Sequence, residues 1–229
     1  MSGALPSPVA LAVLKRELRK AVRARVKQVS EEEIRRQSER VRLKLKELPE
    51  YRAATTVALF ISMPHEIDTR GMIEDVFASG KRCFFPVITG QHSSDMALRE
   101  GLSVSDIASW PENHWHIKEP PPTIAISAAQ VEPRQDALTD VCLDLMIMPG
   151  VAFDAQCGRL GQGKGFYDKL LSTYQSAYAD LKYPMVRTVA IGLNEQLVPE
   201  VPMDPTDYSL DKVCLADYLF EAAHANPQA

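Results

Sequence analysis

The residues with the most chemistry in them lie between positions 143 and 171. Leu143 to Met148 reads as a buried strand whose one polar residue is Asp144, and Pro149-Gly150 ends it. A loop follows with glycine at 158, 161, 163 and 165 and with Arg159 and Lys164 among them; Phe166 to Leu171 then opens a helix. Strand, glycine loop and helix start form a recurrent anion site. Glycines let backbone N–H groups approach, and the first helical turn adds unpaired donors and a favourable dipole. Lys164 contributes a point charge and Arg159 a planar fork. Gly158, Gly163 and Lys164 have Walker A spacing, but Gly165 stands where that motif needs Ser or Thr for the metal. Gly161, Gly163 and Gly165 give GxGxG and not the GxGxxG of a dinucleotide site. A flexible turn with a solvated lysine is the bland alternative. Four glycines, two cations and a following Tyr167-Asp168 favour phosphate binding.

A second set of charges lies near the start. Leu11, Leu14, Leu18, Val22 and Val29 recur at helical spacing. Beside that stripe Lys15, Arg19, Arg23 and Lys27 fall four apart, on one face. Arg16, Lys20 and Arg25 add to the charge, and Glu17 is the only acid in the segment. A solvated face, a mitochondrial targeting helix and a structural helix lending cations to an anion all fit that pattern. Further along, Glu66 sits in a loop just past a strand, and Trp110 and Trp115 fall in an irregular region where a Trp can be core or the flat wall of a ligand site. Asp204, Asp207 and Asp211 are either surface charges or hard oxygen ligands for Mg²⁺.

The elements that must position these groups alternate between helix and strand. Residues 1–8 and 221–229 read as loose tails. A helix from Val9 to about Gln28 is followed by a second that Ser30 and Glu33 start as a capping box, that carries Ile34, Val41, Leu45 and Leu48 inward, and that ends at Pro49. Thr55 to Ser62 is the first strand, Asp68 or Thr69 caps a helix to Ser79, and Lys81 to Val87 is the next strand. That βαβ unit implies parallel strands joined by a right-handed crossover, with ligands at the carboxyl ends of the strands. Met96 to Arg99 is a short strand; after the glycine loop come a helix to about Ala179 and strands at Thr188–Gly192 and Lys212–Leu215. The expected fold class is α/β, a Rossmann-like, mostly parallel sheet flanked by helices with an N-terminal helical pair, all in one domain.

Composition bounds the function. The 229 residues are 45% hydrophobic with a formal net charge of −4, enough for a core and against nucleic acid as the main partner. No apolar run approaches the roughly 20 residues needed to span a membrane. Cys83, Cys142, Cys157 and Cys214 have neither CxxC nor metal-ligand spacing, and the five histidines are scattered. Reduced thiols in the cytoplasm are expected, with a mitochondrial copy as the alternative.

Taken together these features resemble the 5-formyltetrahydrofolate cyclo-ligase (methenyltetrahydrofolate synthetase) family. The resemblance runs from about Leu14 to Val213. It is carried by Met148-Pro-Gly-Val-Ala-Phe-Asp154 with Gly158-Arg-Leu-Gly-Gln-Gly-Lys-Gly-Phe-Tyr-Asp168. Lys15-Arg-Glu-Leu-Arg19, Phe60-Ile-Ser-Met63 with Glu66-Ile67, and Val201-Pro202 with Asp207 and Asp211 support it. It implies a modified Rossmann-like fold related to ribose-5-phosphate isomerase and CoA transferase folds. It implies ring closure of 5-formyltetrahydrofolate with MgATP, giving 5,10-methenyltetrahydrofolate, ADP and phosphate through a phosphorylated formyl group.

By position, the resemblance implies ATP contacts at Lys15, Arg16, Glu17, Leu18 and Arg19, and at Arg159, Leu160, Gly161, Gln162, Gly163, Lys164, Gly165, Phe166 and Tyr167. Lys164 and Arg159 are the expected catalytic cations. Folate contacts are expected at Ile61 and Glu66, with Trp115 and Tyr167 as aromatic walls; Asp168 and Asp207 are the expected Mg²⁺ carboxylates. It favours the anion-binding reading of the basic helix. Many relatives have Arg or Met at Gln162 and a second Tyr at Phe166, and neither difference removes a metal ligand. The rivals are a non-catalytic folate- and ATP-binding relative, a small kinase on a similar scaffold, and a structural protein with an incidental glycine loop. A monomer is expected.

Overall fold

The computed structural model describes residues 7–113, 116–127 and 130–223. Helix α1 (Pro8–Val26) starts on Ser7, whose hydroxyl accepts from the Ala10 amide, with proline at the first helical position. Helix α2 (Glu31–Glu47) starts on Ser30, which accepts from the Glu33 amide at 3.2 Å. Glu33 does not close the expected capping box; its carboxylate takes the side chains of Arg36 and Gln37. Ile34, Val41, Leu45 and Leu48 are buried as expected. On α1 only Val22 and Val26 are, and Leu14, expected to face inward, is half-exposed. The first turns of α1 overhang the core, which the helix meets from Leu18 onward. Pro49 ends α2 and at once opens the short α3 (Pro49–Ala53).

Strand β1 (Thr56–Ala58), helix α4 (Arg70–Ala78) and strand β2 (Arg82–Ile88) form the expected βαβ unit, and β1 pairs β2 in parallel. Strand β1 is shorter than the β-rich run that contains it. Past Ala58 the chain stays buried but leaves the ladder, and the Thr69 hydroxyl donates to the Phe60 carbonyl and accepts from the Ser62 amide. Strand β3 (Met96–Gly101) returns antiparallel to β2. Helix α5 (Val104–Ser109) and a hairpin, β4 (Thr123–Ser127) with β5 (Gln130–Pro133), follow. Then come β6 (Leu145–Met148), a small antiparallel pair β7 (Ala152–Phe153) and β8 (Arg159–Leu160), and helix α6 (Phe166–Leu181). Strands β9 (Arg187–Gly192), β10 (Lys212–Leu215) and β11 (Leu219–Glu221) follow. Of the expected tails, Ser7 and Pro8 belong to the start of α1 and Glu221 to β11; residues 1–6 and 224–229 lie outside the described residues.

Seven strands form one sheet in the order β11-β10-β9-β6-β1-β2-β3. The inner five are parallel; the two edge strands are antiparallel. Side chains alternate between two cores. Val57, Cys83, Phe85, Leu145, Ile147, Val189 and Ile191 meet α1, α2 and α4 on one face. Ala58, Phe84, Met146, Met148, Ala190 and Val213 meet Leu170, Leu171, Tyr174 and Tyr178 of α6 on the other. Right-handed crossovers that leave in opposite directions put α4 and α6 on opposite faces. The chain winds outward from β1 through β2, then from β6 through β9 and β10. The switch point therefore lies between β1 and β6, and the loops leaving their carboxyl ends carry Glu66 and the glycines. In open α/β sheets that crevice is where ligands bind.

The polar residue at the start of β6 is a structural clamp. Asp144 Oδ2 accepts from the Thr55 amide (2.7 Å), the Thr55 hydroxyl (2.8 Å) and the Thr56 amide (3.0 Å). Burial alone would push its pKa up, but the hydrogen bonds from Thr55 and Thr56 outweigh it and leave the carboxyl below its ordinary range. Asp144→Ala hands the exposed Thr55 donors to water and leaves the part-buried Thr56 amide without this acceptor, and is expected to cost about 1 kcal/mol of unfolding free energy. A lowered carboxyl contributes stability above its unfolded range and loses it on acidification. Denaturant curves at neutral pH and near pH 3 should show the gap between variant and wild type closing in acid.

Candidate active site at the carboxyl ends of the central strands

The glycine loop is built in two parts. Strand β6 runs into Pro149-Gly150, and the pair β7–β8 turns around Asp154. Buried Asp154 accepts from the amides of Gln156, Gly158 and Val201, so it shapes the turn and ties it to the β9–β10 connection. A side chain at Gly158 would meet that carboxylate at 2.7 Å. Gly158 thus belongs to the β7–β8 turn, and β8 separates it from the other three glycines; the near-Walker spacing spans two structures.

The loop proper is Gly161 to Gly165. Gly163 (φ 103°) and Gly165 (φ 70°) lie in the left-handed region open to glycine. Gly165 caps α6 with no side chain to satisfy the first-turn amides. Those donors and the positive end of a 16-residue helix are left facing the loop. Lys164 is exposed beside them.

Helix α1 brings its basic row to this loop. Arg19 donates from Nε to the Gly161 carbonyl at 2.8 Å, Arg23 donates to the Gln162 side chain, and the Arg19 guanidinium lies against Gly163. Lys15 donates to Asp204 and Asp207. Burial and the neighbouring charge of Arg23 hold Arg19 below its ordinary range. Burial opposes the Lys15 charge, but its two carboxylate partners outweigh it and raise the ammonium. Of the other expected contacts on this helix, exposed Arg16 pairs with Glu17, and Leu18 packs against the core. Arg16, Arg19, Lys20, Arg23, Ala24 and Lys27 line a shallow groove of about 420 Å³.

Arg159 sits differently from the expectation that it meets phosphate. Its side chain is 2% exposed; it donates to Asp168 Oδ1 at 3.0 Å and lies 5.5 Å from the Tyr167 ring. Its Nε has no partner among the described residues. From this position it orients Asp168 and Tyr167. Leu160 is core.

The loop after β1 completes the crevice. Ile61 is half-buried against the core. Glu66 accepts from the Met63 amide at 2.9 Å, and its amide donates back to the Met63 carbonyl. Burial pushes the Glu66 carboxyl up to about 7, against that one hydrogen bond. The Tyr167 hydroxyl is raised by burial and by the charge of Glu66, while Arg159 opposes, which places all three in one electrostatic neighbourhood. Trp115 lies outside the described residues. Trp110 is core: it meets Phe85 edge-on at 5.1 Å and Arg134 at 5.4 Å.

Asp168 Oδ1 also accepts from the amide of Tyr208, the residue after Asp207, at 3.5 Å. Asp168 and Asp207 each keep one carboxylate oxygen, Oδ2 of Asp168 and Oδ1 of Asp207, without a protein partner among the described residues. No group of three or more potential metal ligands occurs among those residues. Mg²⁺ that arrives on nucleotide phosphates needs only one or two carboxylates, and this pair suits it. Asp211 is structural: it accepts from the Thr188 amide and hydroxyl. A larger cavity, about 550 Å³, opens among Asp144, Arg187 and Asp211 at the amino ends of the strands; of the candidate residues it holds only Asp211.

Comparison with known proteins agrees with this geometry. Residues 12–216 match the model of the "5-formyltetrahydrofolate cyclo-ligase family". The mouse 5-formyltetrahydrofolate cyclo-ligase is 33% identical over 203 residues, which cover 89% of this chain and 94% of the mouse protein. The Escherichia coli K12 enzyme of that name is 30% identical over 73% of this chain and 81% of its own. Among solved structures, the 5,10-methenyltetrahydrofolate synthetase of Aquifex aeolicus superposes with a TM-score of 0.69 at 28% identity, covering 94% of this chain and 96% of that one. A shared fold and a match along nearly the whole chain have one reading: this chain belongs to the 5-formyltetrahydrofolate cyclo-ligase family.

Proposed function

We propose that this chain closes 5-formyltetrahydrofolate to 5,10-methenyltetrahydrofolate with ATP, releasing ADP and phosphate. The observation that carries the proposal is the meeting, at the β1–β6 switch point, of the loop amides, the α1 cations and the Glu66–Tyr167 pair. One half suits a triphosphate and the other a flat ring with N–H donors. The formyl oxygen attacks the γ-phosphorus; its O–P bond forms as the bond to the ADP oxygen breaks. The N5 lone pair supports the resulting iminophosphate. N10 then attacks the formyl carbon, the C–O bond to phosphate breaks, and N10 gives up its proton. No protein nucleophile is required. The protein holds the two reactants in line and offsets the charge of the moving phosphoryl group.

In this reading Lys164, the Gly161–Gly165 amides and the start of α6 take the phosphates, with Lys15 and Arg19 behind them. Arg159 holds Asp168 and Tyr167 in place, Ile61 and Tyr167 flank the folate, and Glu66 accepts from the pterin edge. Asp168 and Asp207 would hold Mg²⁺, which supplies charge neutralisation on the phosphates. The whole chain acts as one catalytic domain, as a monomer. Its four free cysteines suit the reducing cytoplasm.

The direct test is the rise of methenyltetrahydrofolate absorbance when purified protein meets 5-formyltetrahydrofolate, ATP and Mg²⁺. Omission of any one of the three should abolish it; a flat trace with all present refutes the reading. Asp207→Asn removes half of the proposed carboxylate pair, and the half-saturating Mg²⁺ at fixed ATP is expected to rise about tenfold. An unchanged titration would remove Asp207 from the metal.

A further inference from the structure

Asp204 sits beside the proposed metal carboxylates without being one of them. It opens a tight turn in the β9–β10 connection. Its carbonyl accepts from the Asp207 amide at 3.0 Å, and its own amide donates to Asp207 Oδ2 at 2.8 Å. Its Oδ1 accepts from the Thr206 amide (2.8 Å) and hydroxyl (2.5 Å). Its Oδ2 accepts from Lys15 Nζ at 2.7 Å, across 189 positions of sequence. Asp207 shares the same ammonium through Oδ2. The Lys15 side chain is only 13% exposed, so few other arrangements are open to it.

An ammonium has three donors. Asp204 and Asp207 take two and leave one. Both Asp204 oxygens are engaged by the chain's own groups, whereas Asp207 keeps Oδ1 open. If a metal draws on the Asp207 carboxylate, that residue's hold on Lys15 weakens and the Asp204 contact remains.

We propose that Asp204 is a positioning residue of the nucleotide site: its carboxylate keeps the Lys15 ammonium aimed at the phosphates while Asp207 serves the metal, and its amide sets the Asp207 carboxylate. The identity of nucleotide and metal rests on the cyclo-ligase reading; the contacts do not.

The test is calorimetric binding of MgADP to the full chain, with Asp204→Asn, Lys15→Ala and the double variant. Loss of one charged hydrogen bond is expected to raise the MgADP Kd about tenfold in Asp204→Asn. If Asp204 acts through Lys15, the double variant binds no more weakly than Lys15→Ala alone. 5-Formyltetrahydrofolate binding should stay within about twofold, because no folate contact is touched. Thr206→Val, which removes one anchor of Asp204 and keeps its charge, should move MgADP affinity the same way and serves if Asp204→Asn melts early. Additive losses in the double variant, an unchanged MgADP Kd, or an equal loss of folate binding would each overturn the proposal, as would unfolding of both Asp204→Asn and Thr206→Val. If wild type binds MgADP with this coupling yet forms no methenyl product, the reaction assignment fails and the role of Asp204 stands.

Discussion

Lys164→Ala is expected to lower kcat by about 100-fold, roughly 3 kcal/mol of transition-state stabilisation. Lys164 stands at the crest of the loop between two glycines in the left-handed region, exposed and in no ion pair among the described residues. The other cations that the site brings together are engaged: Lys15 with two carboxylates, Arg19 with a loop carbonyl, Arg23 with Gln162, Arg159 with Asp168. Lys164 is therefore the cation free to follow charge as it moves onto the phosphoryl oxygens. Because it is exposed and in no ion pair among the described residues, its loss should leave the melting temperature unchanged. Steady-state rates with saturating ATP and folate, beside a thermal melt, separate the cases. Turnover within a few-fold of wild type would show that the loop amides suffice. Lys164→Arg should recover part of the rate, since a guanidinium keeps the charge on a different geometry.

Much of the framework behind that prediction is legible in the sequence, and the failures have physical causes. Strands β2, β6, β9 and β10 are continuous apolar runs because both faces of a parallel sheet are covered. The run after Ala58 is just as apolar yet leaves the ladder, because a hydroxyl seven or more residues away, on Thr69, takes its backbone groups. No local pattern reports that. Leu14 obeys the helical period but lies on turns that overhang the core. Helix α5 has a start signal in its sequence: the Ser103 hydroxyl accepts from the Asp106 amide, and the Asp106 carboxylate accepts from the Leu102 amide. Within the site, the identity of the glycine loop is readable but the division of labour is not. Gly158 and Arg159 adjoin the loop in sequence, and tertiary contacts assign one to a turn around Asp154 and the other to Asp168. In sequence Asp204 reads as a surface acid or a metal ligand, and nothing local reports that its carboxylate meets Lys15 from the first helix.

Glu66→Gln is expected to flatten the pH dependence of folate use. Burial pushes the Glu66 carboxyl up to about 7, so it carries its proton through much of the acid range. A pterin edge that offers N–H donors binds the carboxylate form, and KM for 5-formyltetrahydrofolate in wild type should fall up to about tenfold between pH 6 and 8. Glutamine offers one carbonyl acceptor at every pH, so the variant should show a weak, level KM, with the gap from wild type widest at pH 8. A variant whose profile still falls through pH 7 would place the titrating group elsewhere. The same substitution has a second reading in stability. A carboxyl raised above its unfolded value contributes stability below that value and loses it as pH rises through about 7. The ligand-free wild type therefore holds an unfavourable carboxylate at pH 8, and Glu66→Gln should melt higher there, with the difference vanishing near pH 5. Lower affinity together with higher stability, both confined to the alkaline side, is what a group poised for a ligand should give; a merely structural glutamate would lose stability on substitution at every pH.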